Sequence, residues 1–195
     1  MEYNQNNSES IDKVGSGGLM NPDKIIEELN IRNGMIVADF GCGAGYFSIP
    51  IARIIGNTGK LYVVDVLSSA LNSVLSKSKL YGLLNVETIR GNIESVGGSK
   101  IQDKSVDVVI LANILFQCND YDSVISESKR VLKDNGKIII IDWIPDKVPL
   151  GPKFEHCLSE DDIKKISIKN GLKITGRINT GSHHYGMVFS VIDTN

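Results

Sequence analysis

Apolar and polar residues follow two periods along this chain, and the period switches repeatedly. Short apolar runs suited to buried strands occupy residues 36–40, 60–65, 85–90, 105–113 and 137–143. Between them, apolar residues recur at helical spacing. Ile25, Ile26 and Leu29 mark one face of a first helix, with Asn21 as its cap and Pro22 in its first turn. A second helix is expected over residues 46–55. Ser68 is expected to cap a third, striped by Leu71, Val74, Leu75 and Tyr81 and ended by Gly82. Tyr121, Val124, Ile125, Val131 and Leu132 stripe a fourth over residues 121–133, closed by Asn135 and Gly136. Ser159 through Asp162 forms a capping box for a fifth, which ends at Asn170 and Gly171. Residues 172–178 and 185–192 read as two final strands joined through Gly181, Ser182, His183 and His184. This alternation predicts an α/β fold, a doubly wound and mostly parallel sheet with helices on both faces, closed by an antiparallel hairpin.

The flanks and composition narrow the picture. Residues 1–18 are rich in Asn, Ser, Glu and Gly and lack an apolar core, so a disordered tail is expected before a single domain over 19–195. Pro145, Pro149 and Pro152 predict an irregular wall or lid, because proline fixes φ. No run is long enough to cross a membrane. The net charge is −2, from 21 basic and 23 acidic residues, and no basic tract stands out, so the footprint of a nucleic-acid binder is missing. The three cysteines, Cys42, Cys118 and Cys157, form no C-x-x-C pair. Neither a disulfide framework nor a metal site is expected, and reduced thiols in the cytoplasm are.

The candidate chemistry starts where the first strand ends. Asp39 interrupts the apolar run, and Gly41, Gly43 and Gly45 follow at alternate positions before a helix. Glycines let a ligand approach the main chain, and a helix start presents free N–H groups. No lysine lies between Asp39 and Arg53, so this is not a phosphate-binding P-loop. The dinucleotide fingerprint also fails, since Tyr46 or Ser48 stands where its last glycine belongs. An acid before the loop suits a ligand with a cationic group. Asp65 ends the second strand about 20 residues past the loop, where an acid can hydrogen-bond a ribose diol.

The run Asp39-Phe40-Gly41-Cys42-Gly43-Ala44-Gly45 resembles the D-x-G-x-G-x-G loop of class I S-adenosylmethionine-dependent methyltransferases. The resemblance covers roughly residues 20–192 and looks nearest to the small enzymes of the ubiquinone/menaquinone-biosynthesis type. It implies a Rossmann-like seven-stranded sheet of order 3-2-1-4-5-7-6 and S-adenosylmethionine as cofactor. It also implies cofactor contacts at Asp39, Gly41, Cys42, Gly43, Gly45, Asp65, Val66, Asn92, Ile93 and Ala112. Asn92 stands where the family usually has Asp; its amide oxygen can accept one hydrogen bond from an adenine amino group. After Asn113 the chain reads Ile114-Leu115-Phe116-Gln117, not the Asn/Asp-Pro-Pro-Tyr/Phe motif of enzymes that methylate adenine or protein glutamine.

The family pattern contains no catalytic motif. Tyr46, Phe116, Asp142 and Trp143 are candidates to line the pocket, with core packing as the alternative. The substrate side is expected to comprise Phe116, Gln117 and Cys118, the proline segment, the region near Met20, and the closing hairpin. The histidines are His156, His183 and His184. His184, His183 and the adjacent Tyr185 are candidates for a general base, with a structural role as the alternative. The expected reaction is methyl transfer to a small-molecule acceptor. A protein or RNA methyltransferase and a non-catalytic binding module of the same fold remain alternatives. Arsenite methylation, found in a related family, relies on cysteine pairing that is absent here.

Overall fold

The computed structural model of the chain describes residues 20–145 and 157–192. The expected tail over 1–18, the proline segment beyond Pro145, and His156 lie outside the described residues. Five parallel strands come first in sequence: β1 (Ile36–Phe40), β2 (Lys60–Asp65), β3 (Val86–Arg90), β4 (Val106–Ala112) and β5 (Leu132–Trp143). The antiparallel strands β6 (Leu172–Ile178) and β7 (His184–Val191) complete a seven-stranded sheet of order β3-β2-β1-β4-β5-β7-β6. That is the expected order. It reverses between β1 and β4, and a crevice opens at the carboxyl ends of strands at such a switch point.

The strands are apolar because both faces are covered. On one face α1 (Pro22–Glu28), α2 (Ser48–Ile55) and α3 (Ser68–Leu80) press Ile25, Ile51, Ile55 and Val74 onto Val37, Leu61 and Ile139. On the other, α4 (Tyr121–Val131) and α5 (Glu160–Lys169) bring Val124, Ile125 and Ile163 onto Ala38, Val109 and Ile140. Each fully buried isoleucine contributes roughly 1.5–3 kcal/mol. Helix ends follow the expected caps in two cases. Asn21 accepts from the Lys24 amide at 3.2 Å, and Ser159 accepts from the Asp162 amide at 3.1 Å while donating to its carboxylate at 2.6 Å.

Three local expectations are corrected. Ser68 lies inside α3 and does not cap it; Asp65 accepts from the Leu67 amide at 2.9 Å at the head of that helix. Leu75 and Tyr81 leave the buried stripe, which runs through Leu71, Val74 and Ser78, and Tyr81 instead lies under the Arg53 guanidinium. Finally, α4 ends at Val131, and Leu132 already opens β5 opposite Val106. Gly136 is not a helix stop. A Cβ there would sit 2.6 Å from the Leu132 side chain, so glycine lets the chain fold back over it.

A buried ionic cluster fixes the loop between β3 and β4. Glu127 is fully buried and accepts from the amides of Gly97 and Ser99 and from the Arg130 guanidinium at 2.7–2.8 Å. Burial alone would raise its carboxyl. Arg130, Ser99 and the two amides outweigh that and hold it at about 2.

Candidate active site

A cavity of about 540 Å³ opens at the carboxyl ends of β1 to β5, within the size range of small-ligand sites. Its floor is built by the end of β1. Asp39 is 2% exposed and accepts from the Ser48 hydroxyl, at the start of α2, at 2.5 Å. Burial pushes its carboxyl up to about 6, against the pull of Ser48, and the nearby Asp65 charge pushes the same way. A cationic group above the floor would relieve both effects.

The turn from β1 into α2 demands glycine. Gly41, Gly43 and Gly45 have φ of +72°, +50° and +85°. They differ in what surrounds them. A Cβ on Gly41 would meet Ile114 at 2.4 Å, and one on Gly45 would meet Val74 at 2.9 Å, whereas one on Gly43 would meet no protein atom within 4 Å. Gly43 therefore opens on the cavity and leaves room for a ligand to touch the main chain. Gly45 stands outside the cavity lining: its amide donates to the Cys42 carbonyl and its close neighbour is Val74.

Asp65 connects the loop to the next strand. Its carboxylate accepts from the Gly43 amide at 3.1 Å and from the Leu67 amide at 2.9 Å. A carboxylate has about four lone-pair sites, so acceptor capacity remains for a diol. Beside it, Val66 and Leu67 line the cavity rim while 52% and 60% exposed, apolar surface that a bound ring would cover. Beyond β3, Asn92 lines the cavity, but its amide oxygen already accepts from the Glu94 amide at 3.0 Å. Ile93 is buried alongside. Glu94 accepts in turn from the amides of Asn119 and Asp120 at 2.6 and 2.8 Å, tying this loop to the head of α4. Asp39, Gly41, Cys42, Gly43, Asp65, Val66, Asn92, Ile93 and Ala112 thus share one lining. The cradle at Gly43, the acid at Asp65 and the apolar rim fit an adenosine-bearing cofactor with an ammonium group.

The other half of the cavity is aromatic. Tyr46, Phe116 and Trp143 line it with Gln117 and Cys118. The Tyr46 hydroxyl donates to the Met20 carbonyl, which fastens the segment before α1 over the glycine loop. Asp142 does not line the cavity; it lies behind this wall, 1% exposed. It accepts from the amides of Leu115 at 3.2 Å and Trp143 at 2.8 Å, and also from Phe116. It thereby holds the 3-10 turn Leu115–Gln117 and the indole on either side. Burial pushes its carboxyl up to about 7 despite those amides. Burial also raises the thiols of Cys42 and Cys118, the latter to about 12, so neither is a ready nucleophile.

The hairpin candidates do not reach the cavity. His184 pairs with Trp143 across β5 and β7 and packs on it, ring centroids 4.0 Å apart, so the indole separates it from the site. Burial, with His183 adding to it, lowers its pKa to about 4. Tyr185 points to the opposite face with Asp142 and is buried in the second core. His183 bonds the Ser182 hydroxyl away from the lining. Sequence reasoning missed Glu94 and Asn113. Neither has a local signal, because each acquires its position from a strand end and a loop that only the sheet brings together.

A family model described as a methyltransferase domain matches residues 31–177. A demethylmenaquinone methyltransferase of Staphylococcus saprophyticus is 25% identical over 80% of this chain and 60% of its own. A ubiquinone/menaquinone biosynthesis C-methyltransferase of Shewanella halifaxensis is 31% identical over 60% of this chain and 46% of its own. The chain thus spans only about half the length of the curated relatives it matches. A solved S-adenosylmethionine-dependent methyltransferase from Aquifex aeolicus superimposes with a TM-score of 0.82 at 27% identity, covering 89% of this chain and 91% of the other.

Proposed function

From the premise that this chain belongs to the class I S-adenosylmethionine-dependent methyltransferases, we propose that it methylates a small, uncharged acceptor held against the wall of Tyr46, Phe116 and Trp143. The observation that carries this reading is the sign of the lining. Asp39, Asp65 and Glu94 contribute carboxylates, while no lysine, arginine or histidine is present among the described residues of the cavity. An acceptor with a phosphate backbone would find no counter-charge there. The aromatic wall suits an apolar or aromatic molecule. The quinone-biosynthesis names of its relatives also support a small-molecule acceptor.

S-adenosylmethionine supplies a methyl group on a cationic sulfonium, whose charge disappears on transfer. The residues of this chain provide position and dryness. Asp65 would take the ribose diol, Asp39 would face the ammonium group, and Asn92 and Ile93 would border the base. Phe116 and Trp143 exclude water and align the acceptor, the main source of rate in such a transfer. With the hairpin histidines set back from the cavity, the acceptor reacts as a nucleophile without their help. Cysteine usage without a disulfide pattern fits the reducing cytoplasm.

The test is calorimetry with S-adenosylhomocysteine. Asp65→Ala is expected to weaken binding by about 1.5–3 kcal/mol, the scale of hydrogen bonds to a charged acceptor. Equal affinity in a folded variant would remove the ribose role. Salt-sensitive binding of RNA at micromolar concentration would overturn the acceptor class.

A further inference from the structure

Two pieces of the aromatic wall belong to different strands. Phe116 sits in the 3-10 turn that follows β4, and Trp143 ends β5. The ladder between these strands has its last rung at Asn113, whose N–H donates to the Ile141 carbonyl at 2.8 Å. There φ is +53° and the chain leaves the sheet. Past that rung, among the described residues, the Asp142 carboxylate joins the two pieces. One oxygen accepts from the Leu115 amide and the other from the Trp143 amide, and the Phe116 amide donates as well. An ionised carboxylate can serve all three because it only accepts. Once protonated, one oxygen carries a hydrogen and becomes a poor acceptor among N–H groups, so one tether is lost.

Resting on the acceptor reading above, we propose that Asp142 is a positioning residue of the acceptor half. Its carboxylate, behind the wall and touching no ligand, fixes Phe116 and Trp143 relative to each other and so sets the slot for a flat, uncharged acceptor. The slot is complete when Asp142 is ionised and slackens when it is protonated. The surroundings leave this titration to Asp142. Cys118 at the end of the turn, Tyr121 at the head of α4, Cys157 ahead of α5 and Tyr185 on β7 all feel its charge. Burial raises each of them, so none ionises near neutral pH. The carboxylates of Glu94, Glu160 and Asp162 act on those thiols and phenols, not on Asp142 directly. No lysine, arginine or histidine among the described residues offsets the Asp142 charge. His184, packed behind the indole, has its pKa lowered to about 4 and is neutral throughout this range.

The experiment uses the full chain, labelled with nitrogen-15 and saturated with S-adenosylhomocysteine, titrated from about one and a half pH units below neutrality to as far above it. Benzyl alcohol, uncharged throughout, is the probe, and NMR gives both the amide shifts and its affinity. In wild type the amides of Leu115, Phe116 and Trp143 are expected to shift together with one midpoint at about pH 7. The indole N–H of the chain's single tryptophan reports the wall itself. Benzyl alcohol should bind about fivefold tighter above the midpoint than below it, the yield of one net hydrogen bond. Asp142→Asn keeps the shape but sets an NH2 group against the amides, so it should hold the weak-binding form at every pH. Amides that do not titrate together in wild type overturn the proposal, whether or not the variant folds. Amides that do, with benzyl alcohol bound equally at both ends, overturn it too and leave the acceptor reading standing. A pH step in affinity that survives in Asp142→Asn belongs to another group and has the same consequence. If that variant binds S-adenosylhomocysteine tenfold more weakly, Asp142 supports the whole crevice and the proposal fails. If loaded wild type takes no benzyl alcohol at any pH, the acceptor reading falls and the proposal with it.

Discussion

Replacing Gly43 by alanine separates cofactor binding from stability. The backbone there is left-handed, and alanine in that conformation is disfavoured by roughly 1–2 kcal/mol. Part of that is offset, because alanine has less freedom to lose from the unfolded chain, about 0.4–1 kcal/mol. The new methyl meets no protein atom within 4 Å, so nothing else is added. The net loss is about 1 kcal/mol, a melting shift of roughly 2–4 °C for a domain of this size. The methyl points into the cradle that a cofactor must touch, so affinity for S-adenosylhomocysteine should drop at least tenfold, about 1.4 kcal/mol. Gly41→Ala is the control with the opposite balance. Its methyl would overlap Ile114 at 2.4 and 2.6 Å, which adds an overpacking cost of about 1–3 kcal/mol to the backbone strain. Thermal melts with and without ligand, together with calorimetry, read both quantities. Wild-type affinity in a folded Gly43→Ala protein would refute the account of the loop.

Two further outcomes follow from the buried acids. Asp39 keeps its proton to about pH 6 in the fold but releases it near 4 when unfolded, so its contribution to stability is present below pH 4 and is lost as pH rises to 6. Two pH units correspond to about 3 kcal/mol. Asp39→Asn should flatten stability across that window in thermal melts, and an unchanged slope would remove Asp39 as the cause. Glu127→Ala leaves two amides without their acceptor and the Arg130 guanidinium with Asp103 and Ser99 alone, and should destabilise the protein by about 2–5 kcal/mol in urea, with S-adenosylhomocysteine affinity kept; a loss under about 1 kcal/mol would contradict the buried-acceptor argument.

Much of the architecture was legible because its signals are local. Apolar runs of strand length, a Pro at a helix start and a capping Ser each report on a few neighbouring residues, and the order of elements then restricts the topology. The glycine-loop half of the cavity shared that advantage, since Asp39, Gly41 and Gly43 stand at alternate positions of one short run. The misreadings arose where a distant partner decided. Ser68 looked like a cap until Asp65 supplied the acceptor. Leu75 fitted the helical stripe, yet the sheet covers only the face of Leu71 and Val74. His184 looked available in a hairpin, and its register opposite Trp143 buried it.

The place of β7 in the sheet has a consequence for how the molecule is made. β7 comes latest of the seven strands in sequence but is inserted between β5 and β6. Strands β1 to β5 can pair as the chain leaves the ribosome, in an order that assembles the cofactor crevice first. Until residues 184–191 emerge, one edge of β5, carrying Ile138, Ile139, Ile140 and Ile141, has no neighbour. Such an apolar open edge is a template for pairing with other chains. The nascent protein therefore passes through a stage in which its cofactor crevice is nearly complete and its aggregation hazard is greatest, and β7 ends that stage by closing both β5 and β6 at once.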